Sequence, residues 1–141
     1  MVDPASYILK YDDSLSLQVA VAGGDQLAQE QAYLEPVKQY QAVLELNKNS
    51  SLAHFRIGEI MLKLQNYTAS MEEFRRALDG DLDPKWIEVW SHLDLGKIFD
   101  VTGQRDRALN EYQRALRTNN NYQGALDEAN AYILTPFSHS E

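Results

Sequence analysis

The chain of 141 residues contains no cysteine. Disulfides, thiolate metal sites and cysteine nucleophiles are therefore excluded. Cytoplasmic and exported proteins alike can lack cysteine, so the compartment stays open. Basic residues are also few, 13 Lys and Arg against 21 Asp and Glu, for a formal net charge of −8. A nucleic-acid binder needs clustered cations to displace counterions from phosphates. Here the longest basic run, Arg75-Arg76, lies among Glu72, Glu73 and Asp79. That balance argues against nucleic acid as a partner, and an acidic surface is repelled by an anionic leaflet. Long hydrophobic runs are missing too. A membrane-spanning helix takes about 20 apolar residues, and the stretch from Leu15 to Ala22 is far shorter. Asp12 and Asp13 precede it in place of Lys or Arg, which argues against a signal peptide.

What is present is a globular composition, 44% apolar and 24% charged, in a chain long enough to bury a core without staples. Two segments of it repeat. His54-Phe55-Arg56-Ile57-Gly58-Glu59-Ile60-Met61 aligns with His92-Leu93-Asp94-Leu95-Gly96-Lys97-Ile98-Phe99. Further on, Ser70, Phe74, Ala77 and Leu78 align with Ala108, Tyr112, Ala115 and Leu116. The offset is 38 residues in both blocks (His54 to His92, Ser70 to Ala108), and internal periods of this size mark repeat architectures.

The local period is helical. Leu52, Phe55, Ile57, Ile60, Met61 and Leu64 recur at steps of three and four, as do Tyr67, Met71, Phe74, Ala77 and Leu78, with a break at Gln65-Asn66. In the second unit Asp83 and Pro84 have the character of an N-cap and first helical residue. The first helix of that unit should run from there to about Thr102, with Gly103 past its end. A second helix is expected from about Arg105 to Arg117. After the polar break Thr118-Asn119-Asn120-Asn121, a last helix should run from Tyr122 to Leu134, ahead of Pro136. The tail 138–141 should fray.

These two units resemble tetratricopeptide repeats of the bacterial type, a family of paired antiparallel helices with a period of about 34 residues. Gly58 and Gly96 match its small first-helix residue, Ser70 and Ala108 the small residue opposite. Phe74 and Tyr112 match the aromatic, and Ala77 and Ala115 the second small position. The departures are His54 and His92 for the family's tryptophan, Asn120 for its closing proline, and four extra residues within Gly80 to Ile87. The resemblance implies an all-α fold, a short α-solenoid of stacked helical hairpins over residues 25–137. Its clear repeats span about 51–84 and 85–121, and a capping helix covers 122–134. Stepping 34 residues back from Gly58 reaches Gly24. Tyr40, Val43, Leu44 and Leu46 then stand where a degenerate first repeat would place its second helix. Residues 1–24 have two readings. Leu15, Leu17, Val19 and Val21 alternate as in a strand, whereas the repeat register continues as helix up to Gly23-Gly24.

The resemblance also implies a concave surface lined by the first helix of each unit. The outward stripe would be Leu52, Phe55, Arg56, Glu59, Leu62 and Lys63, then Trp86, Trp90, Leu93, Asp94, Lys97 and Asp100, with Asp127 and Glu128 on the cap. Aromatic residues with both charge signs suit recognition of a protein or peptide. In the alternative, Trp86 and Trp90 pack under the inserted loop and the charges are a solvated face. Relatives that hold the acidic C-terminus of heat-shock chaperones use a Lys, Asn and Arg clamp. Here Glu59, Asp94 and Asp127 occupy outward positions, so that activity is not carried over.

Metal binding through His54 and His92 lacks a third ligand at motif spacing. Both histidines replace a packing aromatic and are expected to be core residues hydrogen-bonded to neighbours. No phosphate-cradling glycine loop, nucleophile elbow or His-Glu-x-x-His motif occurs. The pairs Glu72-Glu73 and Asp127-Glu128 diverge around their helices. The expectation is a non-enzymatic interaction module without cofactor, binding a partner through Leu52, Phe55, Arg56, Glu59, Lys63, Trp90, Leu93, Asp94 and Lys97. A second reading is self-association, as a homodimer, through residues 1–24 or the edge of the last helix with Ile133 and Phe137.

Overall fold

The structure, a computed structural model, describes residues 26–138. The segment 1–24, read as helix or hairpin, and tail residues 139–141 lie outside the described residues. Six α-helices follow one another, α1 (Gln26–Leu46), α2 (Ser51–Lys63), α3 (Tyr67–Leu78), α4 (Trp86–Val101), α5 (Arg105–Arg117) and α6 (Ala125–Leu134), with a 3-10 turn at Tyr122–Gly124. There is no strand among the described residues. Each helix packs on the next, and α2, α4 and α6 also touch in sequence. The result is a short helical-repeat solenoid with α2, α4 and α6 side by side on one face.

Local chemistry sets the helix ends. The Ser50 side chain accepts from Ala53 N–H to open α2, and Asn66 accepts from Ala69 N–H to open α3. Gly103, at φ +76°, ends the α4 turn as expected. The start of α4 corrects the sequence reading, because Asp83-Pro84 stands outside the helix, which begins at Trp86. The inserted residues fold back on α2 instead. Ser51 Oγ donates to Ala77 O (2.6 Å) and accepts from Leu82 N–H (2.8 Å). Asp81 N–H donates to Asn49 O (2.9 Å), and Asp81 Oδ1 accepts from Ser51 N–H and Asp83 N–H (both 3.2 Å). These residues tie the loop to the start of α2 and so are not available to cap α4. The last helix is likewise shorter than expected. Gln123 (φ 51°) and Gly124 (φ 78°) separate the Tyr122 turn from α6, and Asn121 Oδ1 accepts from Leu126 N–H at 2.7 Å to start it.

The cores of the two hairpins are alike. Phe55, Phe74, Ile87, Leu93, Phe99 and Tyr112 belong to one buried cluster, and Tyr33, Tyr40, Val43, Ile57 and Ile60 form a second between α1 and α2. Leu46 lies in the last turn of α1 and is 68% exposed. The close approach predicted at the two glycines is present. A Cβ on Gly58 would stand 2.9 Å from the Phe74 ring, and one on Gly96 only 2.3 Å from the Tyr112 ring. Ser70 Oγ also donates to Gly58 O at 2.7 Å, which ties α3 to α2 at that point.

Candidate protein-interaction face

The face of α2, α4 and α6 collects most of the sequence-predicted site residues, in three different environments. Phe55 and Leu93 are corrected from outward to buried, at 1% and 0% exposure. Phe55 meets the Phe74 ring (centroids 5.5 Å apart) and the Trp86 ring edge-on (5.3 Å, 82°), filling the space between hairpins. Leu52 is half-buried against both core clusters. Lys63 is exposed at the end of α2.

Arg56, Glu59, Trp90 and Lys97 are partly exposed and lie on the surface of the face. The Arg56 guanidinium sits 5.2 Å from the Trp86 ring centre and 5.6 Å from that of Phe55, and its Nη1 donates to Glu59 Oε1 at 2.7 Å. One repeat later the same i,i+3 pair occurs with its signs exchanged, as Lys97 Nζ stands 3.7 Å from Asp94 Oδ1 and 3.2 Å from Glu128 Oε1 on α6. Asp94, expected on the outward stripe, is corrected to buried, at 5% exposure, and its carboxyl is pushed up to about 7. Burial is the main cause, Lys97 opposes it, and the charges of Glu59 and Glu128 add to it. Burial alone would lower the Lys97 pKa, but Asp94 and Glu128 outweigh it and raise it. Tyr33 on α1, pushed to about 12 by burial and by Glu59, keeps its hydroxyl buried without a hydrogen-bond partner.

The two tryptophans do not pack under the inserted loop, which is tied to α2. Trp86 stacks on Tyr122 (5.3 Å, 11°), and Trp90 Nε1–H donates to Tyr122 O at 3.0 Å. They therefore brace the turn that leads into α6.

Asp100, expected on the outward stripe, is corrected too, since its side chain is 1% exposed. Its carboxylate accepts from Arg105 Nη1 (3.0 Å), Tyr112 Oη (2.6 Å) and Phe137 N–H (3.0 Å). Arg105 Nη2 in turn donates to Tyr132 O (2.7 Å) and Ile133 O (2.8 Å), carbonyls of the last turn of α6. Sequence reasoning missed this hub. Its signal was a triple exchange: Leu62, Tyr67 and Phe74 of the first unit become Asp100, Arg105 and Tyr112 after 38 residues.

The histidines are hydrogen-bonded to neighbours as expected, but they are partly exposed and stand outside the core. His54 Nδ1 pairs with Glu73 Oε1 (3.0 Å) and His92 Nδ1 with Glu111 Oε1 (2.8 Å). Glu72 and Glu73 both pair with Arg76. Among the described residues, no group of three or more His, Asp or Glu side chains could hold a metal ion. No described helix is long and apolar enough to cross a membrane.

No family model matches the chain. Among curated proteins it is similar to the human nuclear autoantigenic sperm protein, with 24% identity over 94 residues. The matched stretch is 62% of this chain and 12% of the relative. The chain thus spans about an eighth of the relative it matches, and because that relative is human, nothing in the match marks the repeats as bacterial.

Proposed function

We propose that the chain is a tetratricopeptide-type repeat module without catalytic activity, with repeats at about 51–84 and 85–121, whose α2–α4–α6 face binds a segment of another protein. The observation that carries this reading is the continuous, partly exposed stripe Arg56, Glu59, Trp90, Lys97 and Glu128 across three helices. Aromatic and arginine side chains that combine apolar area with fixed donors are the usual anchors of protein interfaces. Here the anchors are held in place before any partner arrives, Arg56 by Trp86 and Glu59, Trp90 by Tyr122, and Lys97 by Asp94 and Glu128. Such preorganisation lowers the entropic cost of binding. Phe55 and Leu93 contribute from beneath as the support for this stripe. Leu52 and Lys63 flank it.

The test is a quantitative pull-down from source lysate that compares the wild type with a Trp90→Ala, Arg56→Glu double variant of unchanged helicity. A partner kept by the wild type and lost by the variant supports the face. Equal retention by both moves the site elsewhere. Self-association is the second reading. It is favoured by the exposure of Leu34 (53%) and Leu46 (68%) on α1 and of Leu134 (84%) at the end of α6. Light scattering over a hundredfold concentration range decides it, and a constant monomer mass would remove it.

A further inference from the structure

The α4–α6 end of the face already carries a ligand-like segment, and the chain itself supplies it. Beyond α6 the backbone is extended at Thr135 (φ −136°, ψ 121°), as the following proline favours. Phe137 then turns back onto α4. Its ring meets Tyr132 edge-on (5.2 Å, 85°) and lies 5.3 Å from Lys97 Nζ. Its backbone N–H donates to Asp100 Oδ2 at 3.0 Å. Lys97 Nζ is also 5.6 Å from the rings of Trp90 and Tyr132. The ammonium is therefore walled by three aromatic rings, two from helices and one from the returning strap.

The strap adds little to the core. Leu134, Thr135, Pro136 and Ser138 are exposed, and Phe137 is only partly buried. Its hold includes one ring seated over a cation and edge-on to Tyr132, and one backbone N–H on a carboxylate. An extended peptide docks through the same kind of contacts, with a main-chain hydrogen bond for register and one side chain in a seat for specificity.

We propose that the seat made by Lys97, Tyr132 and Asp100 is a docking site for an aromatic side chain on an extended segment of a protein partner, and that Phe137 is its built-in occupant, displaced when the partner binds. This rests on the reading of the α2–α4–α6 face as an interaction surface. Glu128 beside the seat selects partner segments whose flanks are neutral or basic, since a carboxylate there would meet like charge. The internal occupant competes at an effective concentration of about a millimolar or more, so removing it should strengthen binding.

The experiment uses the whole chain carrying Phe137→Ala and, as probe, the tetrapeptide acetyl-Thr-Pro-Phe-Ser-amide, which copies residues 135–138. Binding is read from the NMR signals of the Trp90 and Trp86 indole N–H groups. The expected result is saturable binding to the variant with Kd of about a millimolar, at least about twofold weaker binding to the wild type, as an internal competitor at about that effective concentration imposes, and about a tenfold loss when the probe's Phe is replaced by Ala. Should Phe137→Ala lose helicity, Phe137→Leu, which keeps an apolar side chain, takes its place with the same probe. No saturable binding to a folded variant overturns the proposal. So does equal binding to the wild type, or indifference to the probe's aromatic ring. A wild-type mass that doubles with concentration and falls back in Phe137→Ala would make a second copy the occupant, and would overturn it as well. Failure here together with partner loss in the Trp90→Ala, Arg56→Glu pull-down would leave the face and remove only the seat.

Discussion

The hairpins α2–α3 and α4–α5 are built on one pattern and closed by different chemistry. Both place a glycine against an aromatic ring, Gly58 on Phe74 and Gly96 on Tyr112. Both tie the two helices with a histidine–glutamate pair. At three further matching positions they part. The first hairpin has Leu62, Tyr67 and Phe74, and the second has Asp100, Arg105 and Tyr112 joined in a buried network. The first hairpin is followed by another hairpin that covers it. The second packs against α6 and the strap, and it holds them by hydrogen bonds to the last-turn carbonyls of α6 and to Phe137 N–H. One template thus closes by apolar packing in the first hairpin and by a polar network in the second.

Asp100→Ala should break this difference most sharply. It strands the Arg105 charge and the buried Tyr112 hydroxyl, at a cost of about 3–5 kcal/mol. Leu62→Ala, at the matching place in the first hairpin, removes partly buried apolar surface and should cost about 2 kcal/mol. Urea denaturation measures both, and equal losses would remove the distinction between the hairpins. Hydrogen exchange should also show α6 opening in Asp100→Ala while α2 and α3 stay protected.

Gly96→Ala should cost about 2–3 kcal/mol, because the new methyl meets a Tyr112 ring that Asp100 holds in place. Gly58→Ala should cost about 1 kcal/mol, since Phe74 has no hydroxyl anchor and helix propensity returns part of the strain. Adding Tyr112→Phe to Gly96→Ala should make the second hairpin respond like the first. Thermal unfolding of the three variants checks the ranking.

A smaller difference lies in pH dependence. Asp94 titrates near 7 in the folded chain against an ordinary 3.8. Between these values the folded state keeps a proton that the unfolded state has released. Its contribution to stability is therefore full below about pH 4 and declines as pH rises towards 7. Asp94→Asn should flatten that decline relative to the wild type. An unchanged slope would mean that Lys97 keeps Asp94 ionised throughout.

How much of this was legible in the sequence follows from the range of the forces involved. The repeat, the close approach at Gly58 and Gly96 and the ends of α5 depend on spacing within one or two helices, and each was readable. The start of α4 was not, because the preceding loop is held to α2 by Asp81 and Leu82 through their bonds with Ser51, across some thirty residues. Phe55, Leu93 and Asp100 were placed outward because helical periodicity gives an angle around one helix. It does not say how wide the next helix's shadow is, and here Phe74 of α3 and Trp86 cover Phe55, the strap meets Asp100, and Leu93 lies in the shared core. Arg56, Glu59, Trp90 and Lys97 were correctly expected at the surface of the face, although their ion pairs and ring contacts were not foreseen.

The charge pairs Arg56–Glu59 and Asp94–Lys97 run in opposite directions in the two hairpins, and Arg56, Glu59 and Lys97 belong to the stripe proposed to bind the partner. The most direct measurement exchanges one pair, Arg56→Glu with Glu59→Arg, and compares partner retention with that of the wild type. The exchange keeps both charges but also takes the guanidinium off the Trp86 and Phe55 rings, so a modest fall in the unfolding midpoint is expected and retention is compared well below it. The account predicts that the folded variant loses the partner. A folded variant that retains the partner fully would contradict it.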